Sequence, residues 1–66
     1  MDIINRLLQG VVGMDLTQAI NLCKLSGFDS RVTREDSTHF VGTCDFRLDR
    51  VNLEVDNGIV TKADLG

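Results

Sequence analysis

Residues 50–60 read RVNLEVDNGIV. Val51, Leu53 and Val55 alternate with Arg50, Asn52, Glu54 and Asp56. A period of two places the apolar residues on one face of a strand and the polar residues on the other. Asn57-Gly58 ends the run with a pair suited to the positive φ angles of a type I′ hairpin turn. Ile59 and Val60 then begin a returning strand, and residues 62–66 close the sequence. A hairpin with one apolar face needs a second layer to cover it.

That layer is legible upstream. Asp15 stands where a helix N-cap belongs, and Gln18 three residues on completes a capping-box spacing. Leu16, Ala19, Ile20 and Cys23 recur at i, i+3, i+4 and i+7, the pattern of one buried helix face. Leu22 and Leu25 widen the stripe, so Leu16, Ile20 and Leu25 are expected in the core together with the Cys23 thiol. Met14 is placed to staple onto the helix start. Lys24 suits the negative end of the dipole, and Gly27 suits a C′ position at positive φ.

Between helix and hairpin the pattern weakens. Residues 28–34 (FDSRVTR) alternate imperfectly and are expected to form a strand, with Phe28, Ser30 and Val32 inward and Asp29, Arg31 and Thr33 outward. Residues 35–39 (EDSTH) have no period, and a non-regular stretch is expected to continue to Phe46. A loop of about a dozen residues in so small a chain carries function or is disordered. Residues 1–10 form either a loosely attached arm or a short helix, since Ile3, Ile4, Leu7 and Leu8 have helical spacing but two turns are not stable alone. Gly10 to Gly13 then make a lead-in.

Size and composition narrow the functional classes. The chain has 66 residues and 7.3 kDa, enough for one small core. Ten acids against seven bases give a net charge of -3, which disfavours nucleic acid as a partner. No apolar run approaches membrane-spanning length. The first nine residues lack the basic start and long apolar region of a signal peptide, so the chain is expected to be cytosolic or to have lost a leader.

Catalysis has little to stand on. His39, Cys44 and Asp45 fall in the least regular part of the chain, where an oriented base is hard to hold. Cys23, Cys44 and His39 are too few and too dispersed for a metal site. No glycine-rich phosphate loop is present and no cofactor is implied. Arg47 and Arg50 are interleaved with Asp45 and Asp49, which points to internal pairing more than to a phosphate-binding face. The loop remains. Arg50 is placed to fold back beneath Gly42-Thr43-Cys44-Asp45-Phe46, and charge-assisted hydrogen bonds of that kind brace an extended segment. A braced segment fills a partner's groove with little entropy left to lose.

The stretch GTCDFRLDRVNLEVDNGIVTKADLG, with VVGMDLTQAINLC before it, resembles the potato inhibitor I family of serine-protease inhibitors, over residues 11–66. The resemblance implies an α+β fold: one helix packed on a small mixed sheet, with an extended binding loop projecting from one edge. It implies a substrate-like loop with Cys44-Asp45 as the reactive bond, Cys44 at P1 and Asp45 at P1′. Gly42, Thr43, Phe46 and Arg47 are the implied protease contacts, with Thr43 at P2 and Phe46 at P2′. Arg50, Asn52 and Gly66 fall at the supporting positions, although an arginine is usual where Asn52 stands.

The implied partner is a subtilisin-, chymotrypsin- or elastase-like serine protease. A trypsin-like target is disfavoured, because its pocket acid wants a cation and Cys44 is small and apolar. The same fold also admits a non-inhibitory protein-binding module. A monomer is expected, with a dimer linked through Cys44 as the alternative. Residue by residue, Arg50 is a brace or an ordinary cross-strand partner of Glu54 or Asp49, and Arg47 is a support or a solvated charge. Cys44 is the exposed P1 residue or half of a disulfide.

Overall fold

The computed structural model describes residues 3–40 and 46–66. Six elements follow in chain order: α1 (Ile3–Val11), α2 (Leu16–Leu25), β1 (Asp29–Glu35), β2 (Thr38–His39), β3 (Arg50–Asp56) and β4 (Ile59–Leu65). The strands form one sheet in the order β2-β1-β3-β4. β1 and β3 are parallel; the two outer pairs are antiparallel. The architecture is α+β with a four-stranded mixed sheet, but two helices pack on it. The expectation of a single helix is therefore corrected.

The additional helix, α1, owes its stability to docking. Leu7 and Val11 lie one turn apart on α1 and are both buried, Val11 completely. Each such side chain contributes about 1.5–3 kcal/mol when removed from water, enough to hold two turns that would melt in isolation. The helix stops at a turn through Val12 and Gly13, where Gly13 takes φ 96°. The linker is then fastened to the hairpin. Gly13 N–H donates to Val60 O at 2.8 Å, Val60 N–H to Met14 O at 2.8 Å and Leu16 N–H to Gly58 O at 2.9 Å.

α2 begins and ends on local chemistry. Asp15 caps it, its carboxylate accepting from Gln18 N–H at 2.9 Å. At the other end Phe28 N–H donates to Cys23 O and Gly27 N–H to Lys24 O, with Gly27 at φ 86°. That is the paired 6→1 and 5→2 arrangement of a Schellman cap. The buried stripe is narrower than expected. Ala19 and Cys23 are fully buried, and Leu16 and Leu22 pack at their flanks. Ile20 is 37% exposed and Leu25 86% exposed, so neither belongs to the closed core. At 100° per residue Leu25 lies about 120° around the helix from Ala19, on the solvent side.

The core closes where this stripe and α1 meet Val51, Leu53, Val55 and Val60. The Asn57-Gly58 turn has both residues at positive φ, 52° and 78°, as a type I′ turn requires. The opposite face of the sheet is polar. Arg34 Nε reaches Glu54 at 3.0 Å and its two terminal nitrogens clasp the Asp56 carboxylate at 2.8 and 2.9 Å. This clasp, with Thr61 Oγ1 at 2.9 Å, pulls the Asp56 carboxyl down to about 2 and lifts the Arg34 guanidinium above its usual value.

Two register shifts interrupt the sheet, between Val32 and Arg34 and between Glu54 and Val55. Each sets a threonine out of step, and each hydroxyl donates to a β3 carbonyl: Thr33 to Leu53 O, Thr61 to Glu54 O. The long irregular stretch expected from residue 35 is shortened by a hairpin, since Glu35 pairs with Thr38 across Asp36-Ser37. Asp36 takes φ 54° and its carboxylate accepts Asn57 N–H at 2.8 Å, tying the two turns together.

Candidate functional site

The segment joining β2 to β3 leaves His39 and returns at Arg50; β2 runs antiparallel to β1 and β3 parallel to it, so the segment crosses over β1 between strands of opposite direction. Val41 to Asp45 lie outside the described residues, and with them Gly42, Thr43, Cys44 and Asp45. The foot of the segment, Phe46 to Asp49, is described, and its anchoring is dense. Asp49 O accepts Asp29 N–H at 2.8 Å, which stitches the foot to the start of β1. Gly66 then serves as the meeting point. Its N–H donates to Arg50 O at 3.1 Å, and its carbonyl oxygen accepts from Arg47 N–H at 3.1 Å, from Arg50 Nε at 3.2 Å and from Arg50 Nη2.

Arg50 is a buried charge, 8% exposed. An arginine is removed from water to that extent only when its fork is satisfied by acceptors. Here two of its nitrogens converge on one carbonyl, which fixes the first residue of β3 to the end of β4. Gly66 is closely covered by the Asn52 side chain, which must shift to admit anything larger. A Cβ there would collide with the Asn52 side-chain nitrogen and come within 3.9 Å of the Phe46 ring.

The other expected support, Asn52, turns its amide oxygen to Arg31 Nε at 3.1 Å. Arg31 and Asn52 are register partners on β1 and β3. Arg31 was expected to face solvent and has no motif of its own. Only the strand register, which is not legible in the sequence, brings its guanidinium to Asn52.

Arg47 is held differently. Nε and Nη2 grip the Asp49 carboxylate at 2.9 Å each, and Nη2 also reaches Asp29 at 2.9 Å. These hydrogen bonds keep the Asp49 carboxyl below the usual carboxylate range and raise the guanidinium above its own. Arg47 thus clamps the foot of the segment to β1 through its side chain and to Gly66 through its backbone. The internal pairing expected from the interleaved charges is present in Arg47-Asp49.

Beyond the clamp the foot presents apolar surface. Phe46 is 68% exposed and Leu48 70% exposed, while Phe40 on the other limb is 48% exposed. Phe46 was singled out from the sequence; Leu48 was not, although its position in a charged stretch (FRLDR) marks it as an apolar residue without a core partner. Cys23 is a buried free thiol whose pKa burial pushes up, so it is an inert core residue. Among the described residues no group of three or more His, Cys, Asp or Glu is placed to hold a metal, and no helix is long and apolar enough to cross a membrane. Comparison with known proteins finds no matching family model, no matching curated protein and no matching solved structure.

Proposed function

We propose that the chain is a serine-protease inhibitor whose segment 42–46 enters a protease cleft as a substrate mimic. The observation that supports this most is the anchoring of the segment's foot: buried Arg50 and the Arg47 backbone converge on the Gly66 carbonyl beside the exposed Phe46 and Leu48. A partner that meets Phe46 and Leu48 meets them on an anchored foot, which has little entropy left to lose on docking.

In this reading Cys44-Asp45 is the bond offered. The protease serine attacks the Cys44 carbonyl, whose oxygen enters the oxyanion hole. The leaving amine of Asp45 stays in place because Arg47, two residues on, is held by Gly66, Asp49 and Asp29, so religation competes with hydrolysis. Arg50 is the brace, and Arg31 with Asn52 takes the second supporting position. Phe46 and Leu48 meet the cleft on the leaving-group side. Cys44 suits the S1 pocket of a subtilisin-, chymotrypsin- or elastase-like enzyme.

Titration against subtilisin, chymotrypsin and elastase tests the proposal. Stoichiometric inhibition of at least one enzyme is expected. Cys44→Arg is expected to move preference to trypsin, and unchanged preference rejects Cys44 as P1. Rapid cleavage at Cys44-Asp45 without inhibition leaves only a binding module on this fold. Asn52→Arg is expected to slow hydrolysis of the segment, and an unchanged rate counts against the bracing argument.

A further inference from the structure

The sheet ends in two unlike edges. β2, at one edge, is 2 residues long, whereas β4, at the other, runs for 7. The first part of the β4 edge is taken. Val60 N–H donates to Met14 O and Val60 O accepts Gly13 N–H, so the linker between the helices lies along it. From Thr61 to Leu65 nothing among the described residues pairs with the outer side of the strand.

Alternate residues of an antiparallel pair turn both their backbone groups to the partner strand. Gly66 N–H donates to Arg50 O on β3, and no register shift falls between Lys62 and Leu65. Lys62, Asp64 and Gly66 therefore direct their backbone groups to β3. Ala63 and Leu65 direct theirs away from the sheet, which makes a template for one more strand.

The side chains say which strand fits. An edge lysine usually deters pairing, and Lys62 is exposed, 3.8 Å from Glu54. Asp64 stands two residues on, on the same polar face, exposed and without a salt-bridge partner among the described residues. A twofold axis at Ala63 sets Lys62 opposite Asp64 of a second copy, and Asp64 opposite its Lys62. Both pairs fall at non-hydrogen-bonded positions, where facing side chains come closest. Ala63 itself is small, and on the axis its N–H and C=O meet those of its counterpart.

We propose that β4 pairs antiparallel with β4 of a second copy of this chain over Thr61 to Leu65, joining the two four-stranded sheets into one. The edge is self-complementary in charge and in backbone hydrogen bonding. So short an overlap belongs to the weak, transient class of interface. The proposal does not depend on protease inhibition.

Amide NMR and sedimentation velocity of the whole chain, kept reduced so that no disulfide contributes, are compared between about 10 μM and about 1 mM, which brackets a weak contact. Concentration-dependent shifts centred on Thr61 to Leu65 are expected, with hydrogen exchange at Ala63 and Leu65 slowing as concentration rises. Lys62→Asp and Asp64→Lys each set like charges opposite one another on both sides of the axis. Each variant alone is expected to associate at least about tenfold more weakly than the parent. An equimolar mixture of the two restores opposite charges at both places, and its association is expected to return to within about threefold of the parent. The proposal is overturned by a parent chain that stays monomeric at about 1 mM, by shifts centred on Phe46 and Leu48 instead of β4, or by a mixture that associates no better than its components.

Discussion

Replacing Arg50 by Met removes the charged fork and keeps most of the buried stem. Among the described residues the Gly66 carbonyl oxygen has three donors in the parent, and two of them belong to this one side chain. Of these the variant keeps Arg47 N–H. A hydrogen bond from a charged group contributes about 1.5–3 kcal/mol net. The two bonds share one acceptor, and the parent also bears the desolvation of a buried guanidinium, so they do not add in full. An expected loss of about 2 kcal/mol follows. For a chain of this size urea m-values are about 1 kcal/mol/M, so the unfolding midpoint falls by about 2 M. Equilibrium urea denaturation followed by far-UV circular dichroism reads this directly. A midpoint within about 0.3 M of the parent, well inside that shift, refutes the idea that Arg50 ties β3 to the end of β4.

Further expectations follow from other parts of the molecule. The Asp56 carboxyl is depressed to about 2 by Arg34 and then Thr61; a depressed carboxyl stabilises the fold above its ordinary value near 4 and loses that effect as pH falls through about 2. Asp56→Asn is therefore expected to lower the urea midpoint at pH 7 by an amount that shrinks steadily as pH falls from about 4 towards 2, and a difference independent of pH contradicts the clasp. Gly66→Ala must displace the Asn52 amide that Arg31 holds, so the Arg31 side-chain NMR signals are expected to shift; unchanged signals contradict the crowding there. Leu53→Ala, at a fully buried position, is expected to cost about 2–5 kcal/mol, whereas Leu25→Lys changes stability by less than about 0.5 kcal/mol. Equal losses for the two contradict the narrow α2 stripe.

What the sequence disclosed and what it withheld divide along physical lines. α2 and the β3–β4 hairpin are legible because their signals are local: Asp15 and Gln18 at one end, Gly27 at the other, and Asn57-Gly58 between two alternating runs. α1 is ambiguous because its stability is not local. Val11 looks like part of a glycine-flanked lead-in, yet it is a fully buried helical residue that pins two otherwise weak turns. β2 has only two polar residues and no period, and its turn depends on Asp36 adopting φ 54° while its carboxylate takes Asn57 N–H from another hairpin.

Leu25 misleads because apolar character alone does not say which arc of a helix the sheet covers. At the site, Arg50 and Gly66 are joined by hydrogen bonds that their sequence separation of 16 residues does not announce. Arg31 is not found, because it reaches Asn52 only through the parallel register of β1 on β3.

The most direct test of the inhibitor reading is a mass-spectrometric time course of the Cys44-Asp45 bond with catalytic and then stoichiometric subtilisin. The account predicts that protease activity is blocked at one equivalent while intact chain remains the dominant species long after a linear peptide of the same sequence has been consumed. Cleavage of the chain as fast as that peptide, or full protease activity beside an untouched chain, contradicts it.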